Sequence, residues 1–152
     1  MDKLKNTVQQ LLSYTKEGNS LNEKVSNANI GWHIDHCIMV LNGVFTQLEK
    51  SYEKAFKSSF NKNRFIVFLT NKIPVGKAKA PEVVKPTEAF SQDKTIFYGE
   101  KAIQKLEASI NWPANKYFKH PFFGLLNKKQ TIRFLDIHTN HHLKIIKKII
   151  NS

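Results

Sequence analysis

The chain is short of cysteine, of arginine and of long apolar runs, and each shortage removes a class of protein. Its one cysteine, Cys37, cannot close an internal disulfide, so a packed core must carry the fold, and a reducing compartment suits it. Strictly apolar runs such as Phe65 to Leu69 stop at five residues, against the roughly 20 that a membrane helix needs. The stretch from Met1 to Tyr14 mixes Lys3 and Lys5 with Asn6, Gln9 and Gln10, which makes neither a signal peptide nor an anchor. The expectation is a soluble, cytoplasmic protein with no membrane partner. Only Arg64 and Arg133 are arginines, against 22 lysines in a chain of net charge +12. Base readout favours the bidentate arginine fork, and lysines scattered over almost every segment read as a solvated surface. Nucleic acid is therefore not the expected partner.

What is present is a core and a helical pattern. Apolar residues make up 41% of the 152 positions and include 11 phenylalanines, enough to fill one domain spanning residues 1–152. Leu4, Val8, Leu11 and Leu12 predict a helix from Asp2 to Tyr14, with Gly18 and Asn19 marking its exit. Ile34, Ile38, Leu41, Phe45, Leu48 and Tyr52 alternate steps of four and three, predicting a long helix from about Asn27–Asn29 to Lys57. An extra short helix is expected over Lys62 to Lys72, stopped by Pro74. Pro74, Gly76, Pro81 and Pro86 then punctuate a connection that reaches Phe90, where a crossover or a lid is to be sought. Ser91 offers a cap to a helix carrying Ile96, Ala102 or Ile103, Leu106 and Ile110 as far as Pro113. An aromatic, irregular stretch runs from Trp112 to Asn127, and Asn127 caps the last helix. No stretch alternates well enough to predict strands. The fold class expected is all-α, a four-helix bundle with one long crossover connection.

The last helix holds an anomaly. Its apolar seam runs Leu135, His138, His142, Ile145, Ile149 in steps of three, four, three and four, so two imidazoles occupy positions suited to core aliphatics. Two unpartnered imidazoles in an interior would cost on the order of a few kcal/mol, whereas a divalent metal engages both lone pairs. A bundle draws its other ligands from a facing helix, and the long helix offers His33 and His36. His36 continues through Val40 and Gly43 on a strip beside the main seam. His33 lies about 300° of rotation from His36, too far round for both to aim at one ion.

Two stretches, Gly31-Trp32-His33-Ile34-Asp35-His36-Cys37 and His138-Thr139-Asn140-His141-His142, give the chain a resemblance to the DinB-like, metal-binding four-helix-bundle proteins. The stretch Lys119-His120-Pro121-Phe122-Phe123-Gly124 resembles one branch of them. The resemblance spans most of the chain and implies His36, His138 and His142 as ligands of a divalent ion, with zinc or nickel expected; it leaves His33, His120 and His141 unassigned. It also implies chemistry on small molecules, either transfer of a low-molecular-weight thiol to an electrophile or hydrolysis, and a homodimer. Neutral nitrogen ligands alone suit zinc, nickel, copper and iron.

Around such a site the sequence offers Trp32, Phe122 and Phe123 as walls of an apolar pocket, or else as core. His120 is a further pocket or hydrogen-bonding candidate, against ordinary loop packing. Asp35 and Asp136 are available to orient an imidazole, and Cys37, turned about 100° from His36, reads as a small buried hydrophobe. The expected function is a metal-dependent enzyme acting on a small molecule, its catalytic residues unassigned. A metal-binding bundle without catalysis comes second, and a basic nucleic-acid-associated protein third.

Overall fold

The computed structural model describes residues 1–74 and 81–152; the remainder of the Pro74 to Phe90 connection, with any lid it holds, lies outside the described residues. The chain is mostly helical, with α1 (Asp2–Leu12), α2 (Ile30–Lys50), α3 (Lys62–Thr70), α4 (Gln92–Ala108) and α5 (Lys128–Asn151). Two strands, β1 (Tyr117–His120) and β2 (Gly124–Asn127), form an antiparallel hairpin. No helix among the described residues is long and apolar enough to cross a membrane.

The helices α1, α2 and α5 pack through the stripes that periodicity marks, whereas α4 buries Thr95, Gly99, Ala102 and Leu106 and the expected Ile110 is exposed. Leu4, Val8 and Leu11 of α1, Ile34, Ile38, Leu41, Phe45 and Leu48 of α2, and Leu135, Leu143, Ile146 and Ile149 of α5 are buried together. At about 1.5–3 kcal/mol for each such side chain withdrawn from water, this burial is the main favourable term of the fold. The helix α2 packs against α4 and α5, and α1 packs against the same two. Hydrogen bonds fix the seams: Lys105 Nζ donates to Thr46 Oγ1 (2.8 Å) across α4 and α2, and Lys5 pairs with Glu107 (2.6 Å) across α1 and α4.

Asparagine side chains cap the starts of α2, α3 and α5, whereas Ser91, expected to cap α4, precedes it without a side-chain cap hydrogen bond. Asn29 accepts from the Trp32 N–H at the start of α2, and Asn127 with Gln130 forms a reciprocal capping box on α5, which satisfies otherwise orphaned donors. Four ends differ from the expectation, that of α4 among them, which stops at Ala108 and gives way to a 3-10 turn over Ser109–Asn111 short of Pro113. The helix α1 stops at Leu12 and is followed by a 3-10 turn over Thr15–Glu17. The helix α2 stops at Lys50, short of Lys57, because the Ser51 hydroxyl turns back onto the Leu48 carbonyl and Lys116 Nζ takes the Glu49 and Ser51 carbonyls (2.7 and 2.6 Å). Asn71, left-handed at φ 50°, closes α3 at Thr70 rather than at Lys72.

The irregular stretch expected between Trp112 and Asn127 holds the hairpin, so the all-α expectation is corrected there. Four-residue strands carry too few alternations to stand out, and so short a ribbon is not stable alone. Docking supplies the stability: Phe118 and Leu126 face each other in register and are buried. The buried Arg64 guanidinium of α3 donates to the Leu125 carbonyl (2.9 Å) and to those of Phe123 and Ser59. Gly124 turns the hairpin at φ 69°, where a side chain would be strained.

The second half of the connection, from Pro81 to Phe90, lies against α2. Its end is set by Phe90, whose ring occupies the place where Gly18 and Gly31 lack side chains. A Cβ on Gly31 would lie 2.4 Å from Phe90 Cγ, and one on Gly18 2.1 Å from Phe90 Cε1. Replacing Gly31 by alanine should therefore expel the Phe90 ring and destabilise the fold by about 1–3 kcal/mol, as overpacking does. Urea unfolding of Gly31→Ala beside the wild type measures it.

Candidate metal centre

The site is built where the first turns of α2 meet the middle of α5. His36 and His138 face each other across that junction with Nε2 to Nε2 at 3.2 Å, and His142 completes the group one turn beyond His138. One nitrogen from each of the three rings lies within 4.8 Å of the others, so the three histidines could hold a metal ion. Ring centroids are 4.8 to 5.1 Å apart for the three pairs.

Protonation follows from the neighbours. The Val84 carbonyl lies 2.7 Å from His36 Nδ1; a carbonyl only accepts, so the His36 proton sits on Nδ1 and the Nε2 lone pair faces the cluster. Burial holds the imidazoles neutral: His138 is pushed down to about 3 by desolvation, then by His36 and the other nearby rings. His36 and His142 are lowered by the same cause, His142 also by the rings around it. Neutral rings have the free lone pairs that a cation needs. With zinc–nitrogen bonds of about 2.0–2.1 Å, two ligands of a tetrahedron sit about 3.3 Å apart, close to the His36–His138 separation. That one spacing and three neutral nitrogen donors suit a divalent ion.

Trp32 stacks flat on His36, centroids 5.2 Å apart and planes 7° from parallel. Phe134 flanks His138 at 5.8 Å. His120 is stacked on Phe123 (4.2 Å) and edge-on to Phe134 (4.6 Å), so Phe134 stands between it and His138. Its Nδ1 accepts from the Phe122 and Phe123 N–H groups (3.1 and 3.2 Å), which leaves its proton on Nε2. Phe122 is half exposed at the hairpin tip.

Neither aspartate reaches the imidazoles. Asp35 faces α4, accepting from the Thr95 hydroxyl, and lines a cavity of about 420 Å³ with Ile38, Met39, Asn42, Val83 and Tyr98. Asp136 joins α5 to α1, accepting from Thr7 and Asn140 (both 2.9 Å) and pairing with Lys3 (2.7 Å). Cys37 is fully buried and its thiol is pushed above its ordinary range, an inert core residue.

His33, set aside in the sequence as too far round to share an ion with His36, is not one of the three converging rings, yet it is buried with its Nδ1 3.0 Å from His142 Nδ1. A rotation of about 300° one way is about 60° the other, so residues three apart share a helix face. The spacing His33-x-x-His36 was itself the missed signal. His141 packs edge-on to His142 at 5.3 Å and is half exposed.

The family model described as "Protein of unknown function (DUF1569)" matches residues 1–149, and the chain belongs to that family. No curated protein matches the chain, and no solved structure does.

The buried histidines make stability depend on pH. His33 and His120 are pushed down by burial to about 4, and His138 to about 3, whereas unfolded histidines titrate near 6.5. Between those values the unfolded chain binds protons that the folded chain refuses. Stability is thus full above about pH 7 and falls on acidification, by up to about 1.4 kcal/mol per pH unit for each proton. Melting temperatures of chelator-treated protein should fall steadily from pH 6.5 to 4, and His120→Phe should flatten that slope.

Proposed function

We propose that this member of the DUF1569 family is a DinB-like four-helix bundle, formed by α1, α2, α4 and α5, in which His36, His138 and His142 bind a divalent ion, zinc or nickel. The proposed activity is on small molecules, by transfer of a low-molecular-weight thiol to an electrophile or by hydrolysis. The observation that carries the reading is the convergence of three neutral imidazoles from two helices within 4.8 Å. Held by three neutral nitrogens, a divalent ion keeps its full charge and supplies Lewis acidity, enough to acidify water to a pKa of about 7 or to hold a thiol as thiolate.

The chain's own residues prepare that chemistry. The Val84 carbonyl fixes the proton of His36 on Nδ1, which keeps its other nitrogen basic and aimed inward. Trp32 covers one face of the His36 ring and Phe134 flanks His138, excluding water on those sides and presenting apolar surface to a substrate. The ligands come from three side chains without a carboxylate, a set associated with an open, reactive site more than with a closed structural one.

A second reading has a specific observation behind it. The ligands belong to α2 and α5, so an ion there also clamps two helices, and its binding energy would add to folding. Metal content of untagged protein by mass spectrometry tests the site common to both readings: about one equivalent in the wild type and almost none in His138→Ala/His142→Ala is expected. Wild-type protein that is metal-free and takes up neither added zinc nor nickel would overturn it. Cobalt-loaded protein then separates the readings. A new thiolate charge-transfer band on adding a small thiol supports the enzyme, and a silent spectrum with a large loss of melting temperature on chelation supports the clamp.

A further inference from the structure

We propose that His33 is a positioning residue for the metal centre, accepting a hydrogen bond from His142 Nδ1–H and passing its own proton's bond to Ser26, so that the His142 ring is locked with Nε2 toward the ion. This rests on the reading of His36, His138 and His142 as metal ligands. It assigns a role to a buried histidine outside that set and to a serine in the loop before α2.

The argument is one of proton accounting. His33 Nδ1 and His142 Nδ1 are 3.0 Å apart, a distance at which one nitrogen donates and the other accepts. His142 Nδ1 is thereby engaged, and Nε2 is the nitrogen left for a cation. An Nε2 that offers its lone pair carries no proton, so the neutral ring must hold it on Nδ1 and donate to His33. His33 Nδ1 then accepts, and its own proton sits on Nε2, 3.0 Å from Ser26 Oγ. Ser26 Oγ also accepts from the Ala28 N–H at 3.1 Å, so both lone pairs of the hydroxyl are used and its proton is free to turn outward. The His142 and His33 ring protons and the Ala28 N–H each meet an acceptor.

The opposite polarity is equally well bonded but chemically different. If Ser26 donated to His33 Nε2, His33 would donate through Nδ1, and His142 would carry its proton on Nε2, the nitrogen needed for the ion. The chain of three residues therefore has one polarity that permits binding and one that forbids it. The other candidates for this role are engaged elsewhere: Asp35 by Thr95, Asp136 by Thr7, Asn140 and Lys3, and the Val84 carbonyl by His36. Among the described residues His138 Nδ1 has no partner at all, so the centre has two tethered rings and one held by packing. His33 is to His142 what the Val84 carbonyl is to His36.

The experiment uses the full chain and zinc as probe. Zinc dissociation constants by competition with a fluorescent chelator should weaken about 10–100-fold in His33→Ala, as losing a hydrogen-bonding partner behind a metal-bound histidine does. His33→Asn, whose side-chain oxygen reaches the place of Nδ1 and can accept, should recover most of that loss. A merely structural role predicts no such selectivity. Nitrogen-15 NMR of zinc-loaded wild type needs no variant: His33 should carry its proton on Nε2 and His142 on Nδ1. Unchanged zinc affinity in His33→Ala, or a proton on His33 Nδ1 in the zinc form, overturns the proposal and leaves the three-histidine reading standing. Wild-type protein that binds no zinc overturns both.

Discussion

Four imidazoles, three buried and one partly buried, meet at one junction of α2 and α5 and must all stay neutral, and much of the surrounding structure follows from that demand. A neutral histidine has one donor and one acceptor, and in an interior each needs an answer. His36 has a carbonyl from the segment before α4, His33 has a serine from the loop before α2, and His142 has His33. Two of these partners come from connections, and the third, His33, from the first turn of α2. The helices supply the rings, and the loops engage one nitrogen of His36 and one of His33 directly.

That division explains why the segment from Pro81 to Phe90 is bound so closely. Its 3-10 turn over Glu82–Val84 presents the Val84 carbonyl to His36, and six residues on Phe90 fills the space left by Gly18 and Gly31. Gly31 N–H also donates to the Gly18 carbonyl at 2.7 Å, which brings the two glycines together under the ring. The first turn of α2, which carries Trp32 and His33, is thus held from two sides. Small residues at this place are a geometric requirement of the site's support, whereas Gly43, further along α2, meets nothing within 4 Å.

The sequence made the repeating parts of this arrangement legible and hid the parts made by distant contacts. Seam positions of α2 and α5 could be read because burial recurs every three or four residues, and the two histidines of α5 stood out by breaking that pattern with polar rings. His36 was visible as a third histidine on a facing helix. His33 was equally visible and was set aside through the sense of rotation alone. The Val84 carbonyl and Ser26 had no signature, since any residue has a carbonyl and a loop serine is ordinary. The early end of α2 depends on Lys116, 66 residues from Lys50, and no local pattern announces such a cap. The hairpin is hidden because its strands are short and are held by Arg64 from α3.

An aliphatic side chain at position 138 or 142 would continue the apolar seam from Leu135 to Ile149 and bury more hydrocarbon without any demand for partners. The rest of the α2–α5 contact shows that the fold does not need imidazoles to close: Ile34, Ile38, Leu41, Leu143 and Ile146 are buried beside them. His138 Nδ1 has no partner among the described residues, a free energy cost of about 1–3 kcal/mol that leucine would avoid. Local choices in a chain that folds well agree with the global structure, and departures from that agreement collect at functional sites. Four histidines where aliphatics would serve stability better are such a departure, and the Val84 carbonyl leaves the Nε2 lone pair of His36 facing the cluster. Packing alone would favour removing the rings; their arrangement suits the coordination proposed for them.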